Sequence, residues 1–191
     1  MQLNIYTISH PILKVLSNSI INENKNEYMY INHYRYIGFL LLYEILRKYI
    51  NLQTVYIKSL YLTKTFDILQ QNNNYTILTN TSKTYPMITD IQSIMPKINI
   101  IHINYDTEEN IKISIDKISN QHIFILEPIL KDTTIIKLIR HLDKIQHVSL
   151  KRLHILCIAS YNTALKSLGE TYPKLKIYTT KIVYNKNKKN K

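Results

Sequence analysis

Glycine is nearly missing from this chain: Gly38 and Gly169 are the only two in 191 residues. P-loop and dinucleotide-binding motifs need clustered glycines for tight turns and close backbone approach to phosphate, so both are excluded. A nucleophile elbow lacks its glycines too, and no Ser-His-Asp order appears. Tryptophan is absent, and cysteine occurs once, as Cys157. A single thiol forms no internal disulfide and suits a reducing compartment. It also leaves no cysteine set for zinc. His154 and Cys157, three apart on a predicted strand, fall on opposite faces, and His141 and His147, six apart, share no helix face, so no metal centre is expected. No apolar run approaches the length of a bilayer span. Met1 to His10 lacks the basic region and long apolar core of a secretory signal, so a soluble chain is expected. The glycosylation patterns at Asn74-Tyr75-Thr76 and Asn80-Thr81-Ser82 are then chance matches.

Acidic residues are few as well: 13 against 25 Lys and Arg, a net charge of +12. That balance invites a nucleic-acid partner such as RNA. A plainer source competes with it. Ile, Asn, Lys and Tyr, which have A/T-rich codons, crowd the chain, while residues with G/C-rich codons are scarce. A biased genome such as an organelle's raises lysine without any polyanion partner, and this reading is preferred. With 45% hydrophobic residues the chain has enough apolar material for one core. No repeat or linker divides it, so residues 1–185 are expected as one domain and residues 186–191 as a frayed basic tail.

Alternating strand and helix patterns predict a mainly parallel α/β sheet. Leu3 to Thr7 is a first strand or arm, and Ser9-His10-Pro11 a turn into a helix. Tyr28 to Tyr49 is a long helix with Tyr36, Phe39, Leu40, Tyr43, Leu46 and Ile50 on one stripe, the tyrosines packing rather than stacking on bases. Glu44 and Lys48 are spaced for an ion pair. Thr54 to Tyr61 alternates, with Val55, Ile57 and Leu60 inward, as an antiparallel hairpin arm. Asn72-Asn73-Asn74 marks a turn, Tyr75 to Thr79 a strand, and Met87 to Met95 a helix stopped near Pro96. Ile98 to Asn104 is a strand, Asp106 to Asn110 with Glu108 and Glu109 a solvated loop, and Ile111 to Ile115 a half-exposed antiparallel strand. Arg152 to Ala159 and Leu175 to Thr179 are core strands. Tyr161 to Leu168 is a helix ending at Gly169 as its C′ residue.

The most informative stretch lies between these. Ile123 to Leu126 is an unbroken apolar run, as in a strand covered on both faces. Glu127, Pro128 and a polar turn follow. Ile135, Leu138, Ile139, Leu142 and Ile145 then recur at helical spacing, with Asp132 at the N-cap position. An acid at the carboxyl end of such a strand, before a helix, sits where open α/β sheets bind ligands.

The order of elements carries local matches at Ser9-His10-Pro11, at Tyr34-Arg35 to Gly38, and at Leu42-Tyr43-Glu44-Ile45-Leu46-Arg47. Further matches are Ile125-Leu126-Glu127-Pro128-Ile129-Leu130 and Tyr172-Pro173-Lys174-Leu175-Lys176-Ile177-Tyr178-Thr179. Together, from about Ile5 to Ile182, they resemble the uracil phosphoribosyltransferase family, and with the codon bias its plastid-encoded red algal homologues. The resemblance implies a phosphoribosyltransferase-type parallel sheet flanked by helices with an antiparallel hairpin addition. It implies the glycosyltransferase reaction of pyrimidine salvage, in which uracil and 5-phosphoribosyl 1-diphosphate (PRPP) give UMP and diphosphate with Mg²⁺. It also implies a homodimer and a soluble plastid (stromal) location.

Set against the family pattern, the resemblance also implies degeneration. Glu127 stands where an Asp faces the ribose hydroxyls. Lys131, Asp132, Thr133 and Thr134 replace the small residues and glycines that close backbone N–H groups on the 5-phosphate. β-Branched Thr resists that conformation, and Asp132 sets a negative charge in the phosphate's place. Thr79, Asn80 and Thr81 stand where the diphosphate loop has Arg and Gly. The C-terminal uracil-binding segment gives way to Val183-Tyr184-Asn185 and the tail. The expectation is a homologue with impaired or lost catalysis. The alternative is a non-enzymatic nucleotide- or RNA-binding regulatory module on the same fold.

Overall fold

The computed structural model describes residues 3–21, 27–70, 75–105, 121–131, 134–145 and 147–184, without the side chains of residues 27–30. The predicted turn at Asn72-Asn73-Asn74, the 106–110 loop, the strand at 111–115, the Asp132 cap, Thr133 and the tail lie outside them.

The elements run β1 (Asn4–Thr7), α1 (Pro11–Ile21), α2 (Glu27–Leu46), β2 (Leu52–Lys58), β3 (Thr63–Leu69), β4 (Tyr75–Thr79), α3 (Thr81–Ile94), β5 (Asn99–His102), β6 (His122–Leu130), α4 (Thr134–Lys144), β7 (Leu153–Tyr161), α5 (Asn162–Thr171) and β8 (Lys176–Val183). Six strands form one sheet in the order β1-β8-β7-β6-β4-β5. All its pairings are parallel. The central strands β6 and β7 are buried on both faces, which is why they read as continuous apolar runs. One core packs α4 and α5 on one face of the sheet; the other packs α1, α2 and α3 on the opposite face. Cys157 lies in the first core, and His154 packs against Phe124 and Tyr178 of the second, as their spacing on a strand requires.

Several expectations are corrected. In α2 the buried side is Tyr34, Ile37, Leu41, Leu42, Ile45 and Leu46, while Tyr36 and Tyr43 are half exposed. The helix is apolar on most sides, so periodicity alone offers two stripes. Gly38 marks the true one: a Cβ there would overlap the Met87 backbone of α3. Glu44 pairs with Arg47 at 3.3 Å, not Lys48, because α2 ends at Leu46. The Lys48 ammonium instead lies 5.4 and 5.1 Å over the rings of Tyr6 and Tyr178. The arm is a real antiparallel hairpin, but its return strand β3 carries no glycine or proline punctuation and was not apparent. Of the residues expected inward, Val55 is half-buried, but Ile57 is 54% exposed and Leu60 94%. α3 begins six residues before Met87, on an Asn80 cap. Gly169 sits within α5, which runs on to Thr171, and its φ is not positive. Ile145 is exposed beyond the end of α4.

The correction that shapes the site concerns β6. The strand does not turn at Glu127 but continues to Leu130. β4 ends opposite Leu126, whereas β7 accompanies β6 to Leu130. Pro128 therefore lies where β6 has one neighbour, and its missing N–H breaks no ladder on the open side.

Candidate functional site

The step between β4 and β6 opens a cavity of about 540 Å³ at the carboxyl edge of the sheet. Its floor is Glu127 to Lys131, the tail of β6 that outruns β4. Ser82, Lys83 and Pro86 line it from α3, and Thr134 and Ile135 from the start of α4. Ile31 and Tyr34 of α2 and Tyr105, just past β5, complete the wall.

Glu127 is half-buried, and the hydroxyl of the buried Tyr105 donates to its Oε2. This bond fixes one carboxylate oxygen and uses one of its acceptor positions. Lys131 is exposed at the rim and Thr134 half-buried as the first residue of α4. Of the four residues expected at the phosphate loop, Lys131 and Thr134 thus share the cavity with Glu127, and Asp132 and Thr133 are not described.

Thr79, Asn80 and Thr81 form the junction from β4 into α3, and its polar groups are turned inward. Thr79 is fully buried; its Oγ1 donates to the Leu126 carbonyl at 2.7 Å and lies 2.7 Å from Thr84 Oγ1. The first four N–H groups of α3 all have acceptors. Thr81 N donates to His102 Nδ1 at 3.2 Å, and Ser82 N to Asn80 Oδ1 at 3.2 Å. Lys83 N and Thr84 N both donate to the Asn80 carbonyl, at 2.9 and 3.1 Å. Thr81 Oγ1 also meets His102 Nδ1 at 2.7 Å. That ring nitrogen accepts, which assigns the proton to Nε2 from the network.

Sequence patterns did not single out Ser82, Lys83, Pro86 or Tyr105 as lining the cavity. A signal existed for two of them: Lys83 follows the Thr79-Asn80-Thr81 junction within one helical turn, and Tyr105 lies just beyond the carboxyl end of a strand. Among the described residues no group of three or more His, Cys, Asp or Glu is arranged to hold a metal ion.

A parallel sheet of this order, with a cleft at its carboxyl edge beside an acid, has the architecture of a phosphoribosyltransferase. The solved AQ2163 protein from Aquifex aeolicus superposes with a TM-score of 0.73 at 16% identity, covering 97% of this chain and 90% of its own. Adenine phosphoribosyltransferase from Leishmania donovani superposes at 0.55 and 9% identity, over 98% and 89%. At such identities the likeness is one of fold. The sequence pattern of uracil phosphoribosyltransferase matches residues 7–190, and the chain belongs to that family. The uracil phosphoribosyltransferase homologue of Pyropia yezoensis is 27% identical over 189 residues, 98% of this chain and 92% of the relative. That of Porphyra purpurea is 25% identical over 183 residues, 95% and 89%.

Proposed function

We propose that this protein is a uracil phosphoribosyltransferase homologue in which conversion of uracil and PRPP to UMP is lost or strongly reduced. The observation that carries this reading is the saturated junction at Thr79-Asn80-Thr81. A leaving diphosphate needs placed donors that strengthen as its charge develops. Here the four N–H groups that point out of a helix start already bond to Asn80 and His102. The Thr79 side chain, at the position of the family's Arg, is neutral and buried. The Glu127–Tyr105 bond adds to the case, since an oxygen held by Tyr105 is less available to a ribose hydroxyl. Among the described residues, Glu127 is the one carboxylate lining the cavity. As a single described ligand group it suits an Mg²⁺ that arrives with the diphosphate.

The test is UMP formation from uracil, PRPP and Mg²⁺ by the purified chain. The expected outcome is no product above background; turnover near that of an active family member refutes the reading.

The RNA-binding alternative gains nothing from the surface. Lysines lie on α1, α3, α4, α5, both hairpin strands and β8, and so over both layers rather than one face. That scatter fits codon bias. A plastid location is part of the proposal, supported by the same bias and by relatives from the red algae Pyropia yezoensis and Porphyra purpurea. No described helix is long and apolar enough to cross a membrane. The homodimer implied by the family belongs to the proposal as well. It is supported by the hairpin, which exposes Leu60, Tyr61 and Leu62 and is too small to stand without packing. Sedimentation velocity tests it, and a monomer at all concentrations rejects it.

A further inference from the structure

We infer that the amino edge of the six-stranded sheet, opposite the cleft, is a docking surface for an acidic polypeptide segment, with Lys48 and Lys176 as its central contacts. Lysines are scattered over the two layers, but at this edge the connections between elements carry mainly one sign. Lys97 lies just before β5, Lys151 just before β7 and Lys174 just before β8; Lys176 opens β8, and Lys48 follows α2. Among the described residues no carboxylate pairs with any of these five. Of the acids at this edge, Glu44 is held by Arg47. Asp143 and Glu170 stand in the last turns of α4 and α5, on the other face of the sheet from α2.

Two of these cations are set in place by aromatic rings. The Lys48 ammonium lies over Tyr6 and Tyr178, and the Lys176 ammonium lies 5.8 Å over the ring of Tyr49. The hydroxyls of Tyr49 and Tyr178 are 2.7 Å apart, so both ammoniums rest on one aromatic cluster. A ring attracts a cation but does not neutralise it. Lys176 is also half-buried, where an uncompensated charge costs more. Burial is the main cause that lowers His122 and His154; Arg152 and Lys176 add to it at His122, and His122 and Lys176 at His154. A carboxylate brought by a partner would complete these contacts, and ammoniums already held lose little freedom on meeting it. The rings also decide which polyanion fits. Single-stranded RNA is held by bases stacking on open aromatic faces. Here Tyr178 is buried, and Tyr49 packs against His122, Phe124 and His154. Of the three tyrosines only Tyr6 is exposed, and it is already stacked on Tyr178. The edge therefore offers charge without a stacking platform, which suits carboxylates on a polypeptide.

The experiment is fluorescence anisotropy of a labelled decaglutamate peptide with the full chain, at low and physiological salt, with labelled decauridylate as a second probe. The peptide is expected to bind at low salt and to lose affinity as salt rises. Replacing both cations, Lys48→Gln with Lys176→Gln, should weaken it about tenfold, the scale of two exposed charge contacts. Lys48→Gln alone, at an exposed position, should account for about threefold, so the test survives if the double variant fails to fold. Lys14→Gln with Lys166→Gln is the control. It removes the same charge from the first turn of α1 and the middle of α5, away from this edge, and should weaken binding less than about twofold. Circular dichroism of each variant confirms the fold. The inference is overturned if the peptide does not bind at low salt, or if the Lys48 variants bind it like the control. It is also overturned if decauridylate binds more tightly than the peptide, which would assign the edge to RNA. The UMP assay bears on none of these outcomes, because the cleft lies at the opposite edge of the sheet.

Discussion

His122 Nδ1 lies 3.3 Å from His154 Nε2, with the two rings stacked at a centroid distance of 5.5 Å. The pair sits at the amino ends of β6 and β7, on the edge of the sheet opposite the cleft. It extends inward: His154 Nδ1 is 3.4 Å from the Tyr49 hydroxyl, which is 2.7 Å from that of Tyr178. One proton per bond satisfies this row as long as the two imidazoles are not both charged. Burial holds His154 down to about 3, with the neighbouring His122 and Lys176 adding to the effect. Burial, then Arg152 and Lys176, lower His122.

The sign of the pH dependence follows. Both histidines bind protons less readily folded than unfolded, so the unfolded chain takes up more protons as pH falls below about 6.5. Stability should be flat between pH 7 and 8 and fall below 6.5, by at most about 1.4 kcal/mol per pH unit for each histidine. Urea denaturation across pH 4.5 to 8 measures this. His154→Phe should flatten the acid limb, and an unchanged slope in that variant would show that the row is not its source.

Gly38 is predicted to be intolerant of even one carbon. The overlap of an added Cβ is with Met87 Cα and its carbonyl oxygen, which are backbone atoms. Gly38→Ala should cost about 1–3 kcal/mol or more by forcing α2 off α3. Shortening Met87 to Ala in the same chain should not rescue it, because alanine keeps the backbone atoms and the Cβ that obstruct. A thermal melt of the single and double variants decides this.

Thr79→Arg restores the family's cation in sequence but should not restore its function. The side chain is fully buried and its hydroxyl bonds the Leu126 carbonyl. A guanidinium there has no acid partner in the junction, so the expected result is a loss of about 3 kcal/mol or more, with no UMP formed. Thr79→Val, which only removes the hydroxyl, should cost about 1–3 kcal/mol. Denaturation curves and the UMP assay read the two effects separately.

Cys157 should be unreactive in the native protein. It is fully buried, and burial is the main cause that pushes its thiol up to about 12. Alkylation by iodoacetamide at pH 8 should proceed at the rate of global unfolding, and fast labelling of the folded chain would contradict the burial.

The hairpin and α2 show where sequence patterns run out. Leu60 and Tyr61 are each 94% exposed, on an arm whose alternation implied an inward face. Alternation reports that a strand has two unlike faces, not that either is covered. In α2 the wrong stripe was as apolar as the right one, and only the approach of Met87 to Gly38 separates them.

By itself the sequence determined the elements whose pattern has one solution. β4 was legible at its own bounds, β6 and β7 as doubly covered strands, and α4 by Ile135, Leu138, Ile139 and Leu142. The replacement of family residues at Thr79-Asn80-Thr81 and Lys131 to Thr134 was legible too, because residue identity is what a sequence records. Tertiary structure decided what those residues touch. The run of β6 past β4 makes the cavity, and the bonds from Asn80 and His102 consume the α3 donors. Tyr105 meets Glu127 from 22 residues away. Such contacts depend on strand order and on where neighbouring strands end, and neither leaves a periodic trace in the chain.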